Sequence, residues 1–430
     1  MTTAVEHGLL DVSTRRSEDG LVRRISHGDV AIETHSVDDS TDPDLDGAWW
    51  KAYLKGIRPV PLAHPSHPAT VRTIDLFSGP GGLALGFSQA AAELGMTHDA
   101  AVAIDQDAGA VGVYGANHSV SRTWTDSVSM LVDYQIKGNR TGATFLYEPE
   151  MVGDEWADIV GNVDVVLAGP PCQGHSNLNN RSRRTDSRNE LYLTVPAVAL
   201  AVGADSVIIE NVPSVIHDHQ GVVQTTIALL EDAGFTVETG VLKAEQLGWA
   251  QNRSRFFLVA SRRTKPIPLS DVSRALGSPA RNVLWAISGA SRKEGDHLLV
   301  PAELNEDNVR RIDWLFDNDE YDLALDQRPE CHQQGTTYKA VYGRLYPDRP
   351  SPTITTGFMT PGRGRYIHPT ERRTISAREA ARLQGFPDTY EFVVDPSEPP
   401  SRTQLAKWIG DAVPMPLGYA AGLSVLLPKM

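Results

Sequence analysis

The chain has 430 residues, of which 41% are hydrophobic and 22% are charged. These fractions are typical of globular proteins, so we expect neither a disordered nor a fibrous chain, and the length allows two or three domains. Because no uninterrupted apolar run reaches about 18 residues and the N-terminus carries charges, we predict no transmembrane helix and no secretory signal. The two cysteines, Cys172 and Cys331, cannot build a disulfide framework or a four-cysteine zinc site, and we predict no metal site. The composition therefore indicates a soluble, intracellular protein.

The charge balance argues against indiscriminate binding to nucleic acid. The 54 Asp and Glu residues outnumber the 40 Lys and Arg residues, which gives a net charge of −14, whereas such binding usually comes with a basic excess. A local basic surface is still compatible with this sum, because the field depends on where the charges sit. Residues 178–190 and 361–382 are both rich in arginine. Taken alone, each stretch could be an ordinary solvated surface.

Residues 1–70 are predicted to be an N-terminal extension that ends in a proline-rich linker. Residues 1–57 are polar, and the stretch RPVPLAHPSHPA at 58–69 holds the repeated prolines of an extended linker. The pair Trp49-Trp50 suggests a short amphipathic helix that docks on the rest of the protein. A disordered extension is the alternative.

Residues 71–263 show the pattern of an α/β protein. Short apolar runs recur (VRTIDLF, AAVAID, VDVVLAG, DSVIIEN and RFFLVAS), and helix-like stretches lie between them. This alternation predicts a doubly wound, Rossmann-like parallel sheet that is covered by helices. The regularity fades in residues 264–340, which we predict to be a small inserted domain. Residues 341–430 are predicted to return to the main domain.

The first stretch with chemical information joins a strand to a helix through glycines. In TIDLFSGPGGLALGF, residues 73–87, Gly79, Gly81 and Gly82 would let the backbone turn tightly and approach a ligand. Their spacing differs from the dinucleotide fingerprint, which disfavours a nicotinamide cofactor. Asp105 ends the next predicted strand roughly 20 residues later, where an acidic residue would bind ribose hydroxyls. An ordinary strand-to-helix turn with a surface Asp stays the alternative at this point.

Three further stretches place reactive side chains at the ends of strands. Cys172 lies in the loop GPPCQG after a buried strand, where a thiol with a lowered pKa could act as a nucleophile. Glu210 ends the strand SVIIEN, and a partly desolvated carboxyl group can hold and donate a proton. In QNRSRFF, residues Gln251, Arg253 and Arg255 alternate at strand spacing and so share a face. A structural cysteine and a capping carboxylate remain open for Cys172 and Glu210.

Together these stretches resemble the DNA cytosine-5 methyltransferase family. FSGPGG resembles the S-adenosylmethionine loop of that family, GPPCQG its catalytic loop, ENV its carboxylate motif and QNRSR its paired-arginine motif. REAARLQGFPD at 378–388 is similar to the motif that braces the target-recognition domain, and IGDAVPMPLG at 409–418 to the C-terminal helix beside the cofactor. The motifs follow the family order over roughly residues 72–428. The resemblance implies a class I methyltransferase of the bacterial restriction-modification type.

The resemblance implies a mechanism in which the target cytosine is flipped out of the duplex. Cys172 would add to C6, Glu210 would engage N3 and the exocyclic amine, Arg255 would hold the O2 edge, and Arg253 would support the catalytic loop. C5 would then take the methyl group of S-adenosylmethionine, which leaves S-adenosylhomocysteine as the product. The implied DNA contacts are Gln173, Ser176, Arg181, Arg183, Arg184 and Gln251.

The resemblance also implies a set of cofactor-binding residues. Asp105 would take the ribose hydroxyls, and Asp126 would accept a hydrogen bond from the adenine amine. The full implied set is Phe77, Gly79, Gly81, Gly82, Asp105, Asp126, Pro170, Leu191 and Asp411. Two positions depart from the family pattern, since His175 stands where Phe is usual and Asp411 where Asn is usual. An acidic Asp411 could disfavour S-adenosylmethionine, or favour a donor whose transferable arm carries a cation.

Double-stranded DNA is the partner that the resemblance implies, with residues 264–340 as the target-recognition domain. It further implies a cytoplasmic, nucleoid-associated monomer, for which a separately encoded restriction endonuclease is a compatible partner. The alternatives are a tRNA cytosine-5 methyltransferase, a C5 alkyltransferase that uses a modified donor, and a non-catalytic DNA-binding relative. The insert at 264–340 favours duplex DNA over tRNA, and the retained Cys172, Glu210 and glycines favour an enzyme.

Overall fold

The fold is built on a seven-stranded sheet with helices on both faces. The computed structural model describes residues 9–38, 41–62, 69–171, 191–290, 296–333 and 340–430. All statements below concern these residues.

Residues 9–62 form a folded unit where we expected a polar extension, and residues 63–68 of the predicted linker lie outside the described residues. Strands β1 (Asp11–Ser17), β2 (Gly20–His27) and β3 (Val30–Ser36) make an antiparallel meander. Helix α1 (Leu45–Leu54) follows, and β4 (Val60–Pro61) then pairs with β3. The side chain of Asp44 caps α1 by accepting a hydrogen bond from the Gly47 amide. Trp49 and Trp50 are buried in the main core, which confirms the docked helix over the disordered alternative.

The main body follows the predicted alternation of strands and helices. Its first elements are β5 (Thr70–Leu76), α2 (Gly82–Glu93), β6 (Thr97–Asp105), α3 (Ala108–Asn117) and β7 (Val120–Thr125). Four two-residue strands then form two small sheets: β8 (Val132–Asp133) with β11 (Glu150–Met151), and β9 (Ile136–Lys137) with β10 (Thr144–Phe145). The body continues with β12 (Val165–Ala168), α4 (Leu191–Ala201), β13 (Ser206–Asn211), α5 (Val222–Asp232), β14 (Thr236–Lys243), β15 (Gln251–Asn252) and β16 (Ser254–Ser261).

The strand order of the sheet is β14-β16-β13-β12-β5-β6-β7. Strands β5, β6, β7, β12 and β13 run parallel, whereas β16 is antiparallel to both β13 and β14. The prediction of a doubly wound, Rossmann-like α/β fold is confirmed, with β16 as the departure from a fully parallel sheet. The connection between β14 and β16 is short and holds one turn of 3-10 helix (Ala244–Gln246) and β15 but no α-helix. The reversal follows from it, because a parallel pair needs a long crossover.

The last third of the chain adds mainly helices. These elements are α6 (Leu269–Ala275), α7 (Val283–Ile287), α8 (Glu306–Asp317), α9 (Glu330–Gln333), β17 (Gly343–Arg344), β18 (Ser351–Pro352), β19 (Arg365–Ile367), α10 (Ala377–Gln384), α11 (Arg402–Asp411) and α12 (Met415–Leu426). By length and composition, the helical stretch Arg402–Lys429 could cross a membrane, but its most apolar window is 94% buried inside the protein. That burial is typical of the core helix of a folded domain.

The predicted inserted domain, residues 264–340, is divided between the main body and an outer lobe. Leu269 and Val272 of α6 belong to the same core as α2 and α12, and α7 packs on α10. We define the outer lobe as residues 304–333 and 340–374. Part of this lobe has a small core that is separate from the cores of the main body. The buried members of that core are Ile312, Leu315, Leu323, Val341, Tyr342 and Ile367. In contrast, Leu345, Ile354, Phe358 and Tyr366 of the lobe belong to a core that is shared with α3, α10 and α11, so the lobe also packs directly on the main body.

Candidate active site

A cavity of about 320 Å³ lies at the carboxyl ends of the central parallel strands. The chain winds outward in opposite directions from β5 and β12, which makes their border the switch point where open α/β sheets bind ligands. The cavity brings together most of the predicted site residues. Its lining includes Phe77, Gly79, Gly82, Asp105, Asp126, Pro170, Leu191, Glu210, Arg253, Arg255 and Asp411.

The glycine turn between β5 and α2 uses its glycines for different reasons. Gly79 has a φ of +51° and open space where a Cβ would be, and it lines the cavity. A Cβ on Gly82 would lie 2.5 Å from the Val413 carbonyl oxygen. Gly81, with a φ of +90°, faces away from the cavity, and a Cβ there would lie 2.6 Å from His118 Nε2. Of the three, Gly79 is therefore the one with room for a ligand beside its Cα.

Gly81 does not fit its predicted role as a cofactor contact. It is absent from the cavity lining, and its Cα packs against His118 and Tyr390. The Tyr390 hydroxyl donates a hydrogen bond to the Pro80 carbonyl and so holds the turn from behind. In this structure Gly81 shapes the turn and does not line the cavity. Phe77 has a φ of +57°, a left-handed conformation that strains a non-glycine residue and that is common at functional sites.

Asp105 connects the end of β6 to the glycine turn. Its Oδ2 accepts a hydrogen bond of 2.9 Å from the Gly79 amide, and its Oδ1 accepts one of 2.9 Å from the Asp107 amide. Each carboxylate oxygen keeps a lone pair for a further donor. Asp126 is exposed at the cavity, and its Oδ1 accepts a hydrogen bond of 2.6 Å from the Ser127 amide. Both carboxylates are therefore oriented by backbone amides.

Glu210 and Arg255 form an ion pair inside the cavity. Arg255 Nε lies 2.7 Å from Glu210 Oε1, and the glutamate is only 7% exposed. Burial raises the pKa of the Glu210 carboxyl, while the positive charges of Arg255 and Arg253 oppose that rise. Because the pKa is raised on balance, Glu210 holds a proton more readily than an ordinary glutamate. Such a group can serve as a proton donor.

Arg253 is buried and ties the cavity to two other parts of the chain. Its Nη1 donates hydrogen bonds of 2.6 Å to the Ile354 carbonyl and 3.0 Å to the Gly410 carbonyl. These bonds join the start of β16 to the outer lobe and to α11. Asn211 Nδ2 similarly donates to the Pro170 carbonyl at 3.2 Å, which fixes the end of β13 against the chain that follows β12. Both side chains position elements that line the cavity.

The prediction that Gln251 contacts DNA is wrong. Gln251 is 0% exposed, and its Nε2 donates to the Leu383 carbonyl at 2.8 Å and to Gln384 Oε1 at 3.0 Å. Its Oε1 accepts a hydrogen bond of 3.1 Å from the Ile354 amide. The alternation in QNRSR misleads because the stretch belongs to two separate strands, β15 and β16. Gln251 is a buried connector between β15 and α10.

Asp411 lines the cavity from the C-terminal end of α11, where its side chain is exposed. The surrounding protein raises the pKa of its carboxyl by desolvation, and the positive charges of Lys407, Arg253 and Arg255 oppose this.

Sequence reasoning missed Asp75, which also lines the cavity and is 1% exposed. Burial raises the pKa of the Asp75 carboxyl well above its usual range. The signal in the sequence was an acidic residue within the apolar run TIDLF.

The predicted nucleophile and most predicted DNA contacts lie outside the described residues. These are Cys172, Gln173, Ser176, Arg181, Arg183 and Arg184. The described chain stops at Pro171 and resumes at Leu191, and both of these residues line the cavity.

The chain matches known proteins over most of its length. Residues 71–425 match the family model described as C-5 cytosine-specific DNA methylase. The chain is 38% identical over 359 residues to the type II methyltransferase M1.BsuMI of Bacillus subtilis (strain 168). The aligned region covers 83% of this chain and 81% of that relative. It is 32% identical over 278 residues to the type II methylase M.HgiDII of Herpetosiphon aurantiacus. This aligned region covers 61% of this chain and 76% of that relative.

Solved structures share the fold at lower identity. The S. pombe Dnmt2 methyltransferase has a TM-score of 0.53 at 19% identity and covers 84% of this chain and 99% of that chain. The Entamoeba histolytica methyltransferase EhMeth has a TM-score of 0.55 at 14% identity, and the match covers 84% of this chain and 99% of that chain. At these identities the likeness concerns the fold alone.

Proposed function

Because the chain belongs to the C-5 cytosine-specific DNA methylase family, we propose that it methylates cytosine C5 in a specific duplex sequence through a covalent adduct between Cys172 and C6. The target cytosine is flipped out of the duplex, since C6 is not reachable in a stacked base pair. The observation that carries this proposal is the buried Glu210–Arg255 pair beside Pro170 and Pro171. Cys172 follows Pro171 directly in the sequence.

The residues of the cavity fit S-adenosylmethionine as the methyl donor. The volume of about 320 Å³ suits a small molecule, and the open space at Gly79 allows a ligand to approach the backbone. Asp105 would bind the ribose hydroxyls with its free lone pairs, and Asp126 would accept from the adenine amine. Phe77, Pro170 and Leu191 supply apolar surface beside them. When bound, S-adenosylmethionine supplies an electrophilic methyl group.

Glu210 and Cys172 divide the activation of cytosine between them. Unmodified C5 is a weak nucleophile, and addition of the Cys172 thiolate to C6 moves an electron pair toward C5 and N3. Glu210 offsets the charge at N3 by donating a proton there, which its raised pKa favours. Arg255 orients the carboxyl group of Glu210 and would hold the O2 edge of the base. C5 is then nucleophilic enough to accept the methyl group.

The product forms when C5 loses its proton to solvent water, N3 returns its proton to the Glu210 carboxylate and the bond between C6 and the Cys172 sulfur breaks. The electron pair of the C5–H bond restores the ring, and the thiolate leaves with the electrons of the C–S bond. Arg253 supports this geometry through its bonds to the Ile354 and Gly410 carbonyls. Arg253 is therefore a positioning residue.

We further propose that the outer lobe is the target-recognition domain. It has its own small core, which leaves its surface free to vary without disturbing the catalytic sheet. Arg181, Arg183 and Arg184 would contact phosphates, with Gln173 and Ser176 nearer the base. The enzyme would act as a cytoplasmic, nucleoid-associated monomer, with a separately encoded endonuclease as its partner.

A duplex that carries 5-fluorocytosine tests the covalent step. Fluorine cannot leave as a proton, so the adduct between Cys172 and C6 persists after methyl transfer and survives denaturing electrophoresis. We expect a trapped complex with the wild-type chain and with Cys331→Ser, the matched control at the other cysteine. Cys172→Ser should give none. A complex formed by Cys172→Ser, or none from a wild-type chain that methylates ordinary cytosine, would refute the adduct.

A further inference from the structure

The folded unit of residues 9–62 lies outside the part of the chain that matches the family model, residues 71–425, and it contacts both connections of the outer lobe. We call residues 281–290, before the lobe, the incoming segment, and residues 377–388, after it, the outgoing segment. We propose that α1 clamps these two segments and thereby sets the position of the lobe against the active site. Asp44 and Lys51 are then positioning residues for DNA recognition, an inference that rests on the proposed function.

Asp44 and Lys51 hold the incoming segment. The two carboxylate oxygens of Asp44 each accept a hydrogen bond of 2.8 Å from Arg281, whose side chain is 5% exposed. Paired charge-assisted bonds of this kind fix orientation as well as distance. Lys51 Nζ donates to the Trp285 carbonyl at 2.5 Å and to the Ser288 carbonyl at 2.6 Å. Helix α1 thus contacts the incoming segment at both of its own ends.

The C-terminal end of α1 holds the outgoing segment. The Tyr53 hydroxyl donates to the Gly385 carbonyl at 3.1 Å, and the Asp388 amide donates to the Leu54 carbonyl at 2.8 Å. Both bonds lie just after α10, which leads out of the lobe. One helix of the N-terminal unit therefore contacts the chain on each side of the lobe.

The two segments are also tied to each other under α1. Arg382 of α10 is 0% exposed and forms two bonds to Asp388, of 2.7 and 2.6 Å. It also donates to the Ala286 and Ser288 carbonyls at 3.1 and 3.0 Å. The Ser288 carbonyl is therefore shared by Arg382 and Lys51. Without the Lys51 ammonium, Arg382 would be the one cation of this pair that still binds the Ser288 carbonyl of the incoming segment.

The clamp continues to the edge of the active site. Gln384, at the end of α10, donates to the Ile409 carbonyl at 2.5 Å and to the Ala412 carbonyl at 3.2 Å. Ala412 lines the cavity. The lobe also contacts the main body directly, through the pairing of β18 with β15 and the bonds that Ile354 makes to Gln251 and Arg253. The clamp adds to these contacts by fixing both connecting segments to α1 and α10, which narrows the orientations that the lobe can take toward the base-binding side of the cavity.

Lys51→Met tests the clamp, because methionine keeps the apolar stem and removes the ammonium. Lys55→Met is the matched control, since Lys55 directly follows the last residue of α1 and is exposed. Asp44→Asn is a second variant, which keeps a good helix cap but removes the charge that faces Arg281. Each protein is given plasmid DNA and S-adenosylmethionine, and methylated positions are mapped by bisulfite sequencing.

For Lys51→Met and Asp44→Asn we expect the KM for DNA to rise by about threefold to thirtyfold, the usual range for altered coupling between sites. Sites that differ by one base from the preferred sequence should make up a larger fraction of all methylated sites than they do with the wild type. Lys55→Met should match the wild type, and all variants should keep the wild-type Kd for S-adenosylmethionine. The clamp is refuted if both variants keep the wild-type KM and site preference, or if cofactor affinity falls in step with DNA affinity. A wild-type chain that methylates no cytosine would instead refute the proposed function.

Discussion

Substitution by alanine should affect Gly79 and Gly82 for different physical reasons. In Gly82→Ala the new Cβ would lie 2.5 Å from the Val413 carbonyl oxygen and 3.2 Å from Ala412 Cβ. The carbonyl belongs to the backbone and cannot rotate away, so we expect a loss of about 1–3 kcal/mol in the free energy of unfolding. In Gly79→Ala nothing lies within 4 Å of the new Cβ. The cost there is the left-handed backbone, about 1 kcal/mol.

The two variants differ in cofactor binding as well as in stability. The methyl group of Gly79→Ala would project beside the cavity and occupy space that a ligand needs, so we expect the Kd for S-adenosylmethionine to rise at least about tenfold, or 1.4 kcal/mol. Urea unfolding gives the stabilities, and isothermal titration calorimetry gives the Kd. If Gly79→Ala bound the donor as tightly as the wild type, our placement of the cofactor at this turn would be refuted. An unchanged stability of Gly82→Ala would refute the packing argument.

Three further predictions concern titratable groups. Glu210→Gln should lower kcat by about 10² to 10⁴ while binding of S-adenosylmethionine is retained, and a rate within tenfold of the wild type would contradict proton donation by Glu210. Burial lowers the pKa of His118 from 6.5 to about 3, so the unfolded chain binds a proton that the folded chain does not. Stability should therefore fall as the pH drops below 6.5, by about 2.5 kcal/mol at pH 4.5 from this group alone, and urea unfolding of His118→Gln should show a shallower pH dependence. Asp411→Asn should weaken binding of S-adenosylmethionine, which carries a sulfonium charge, by about threefold. It should leave binding of S-adenosylhomocysteine, which lacks that charge, unchanged; tighter binding of the donor would show that Asp411 opposes it.

The sequence was sufficient to predict the central sheet and most of the cavity. Each apolar run that we read as a strand is one, because a strand buried on both faces needs continuous apolar side chains. The end of each run then fixes which side chains meet at the carboxyl edge, which is why Asp105 and Glu210 share one cavity. Local sequence and the direction of the strands are sufficient to predict this meeting.

What the sequence did not reveal depends on contacts between distant segments. Residues 264–290 lack regular periodicity, yet Leu269 is buried because α12 lies beside α6 in the folded chain. Gln251 is buried by α10, which is more than a hundred residues away in sequence. The meander of β1, β2 and β3 did leave a local signal that we passed over, since Asp19-Gly20 and Gly28-Asp29 are turn dipeptides between alternating strands.

Methylation at C5 through Cys172 is tested most directly by mass spectrometry of nucleosides from plasmid DNA that has been incubated with the chain and S-adenosylmethionine, with chromatographic standards for C5- and N4-methylcytosine. We expect 5-methylcytosine with the wild-type chain and none with Cys172→Ser. Methylation at N4, methylation of RNA in place of DNA, a transferred group other than methyl, or 5-methylcytosine from the Cys172→Ser chain would contradict the proposed function.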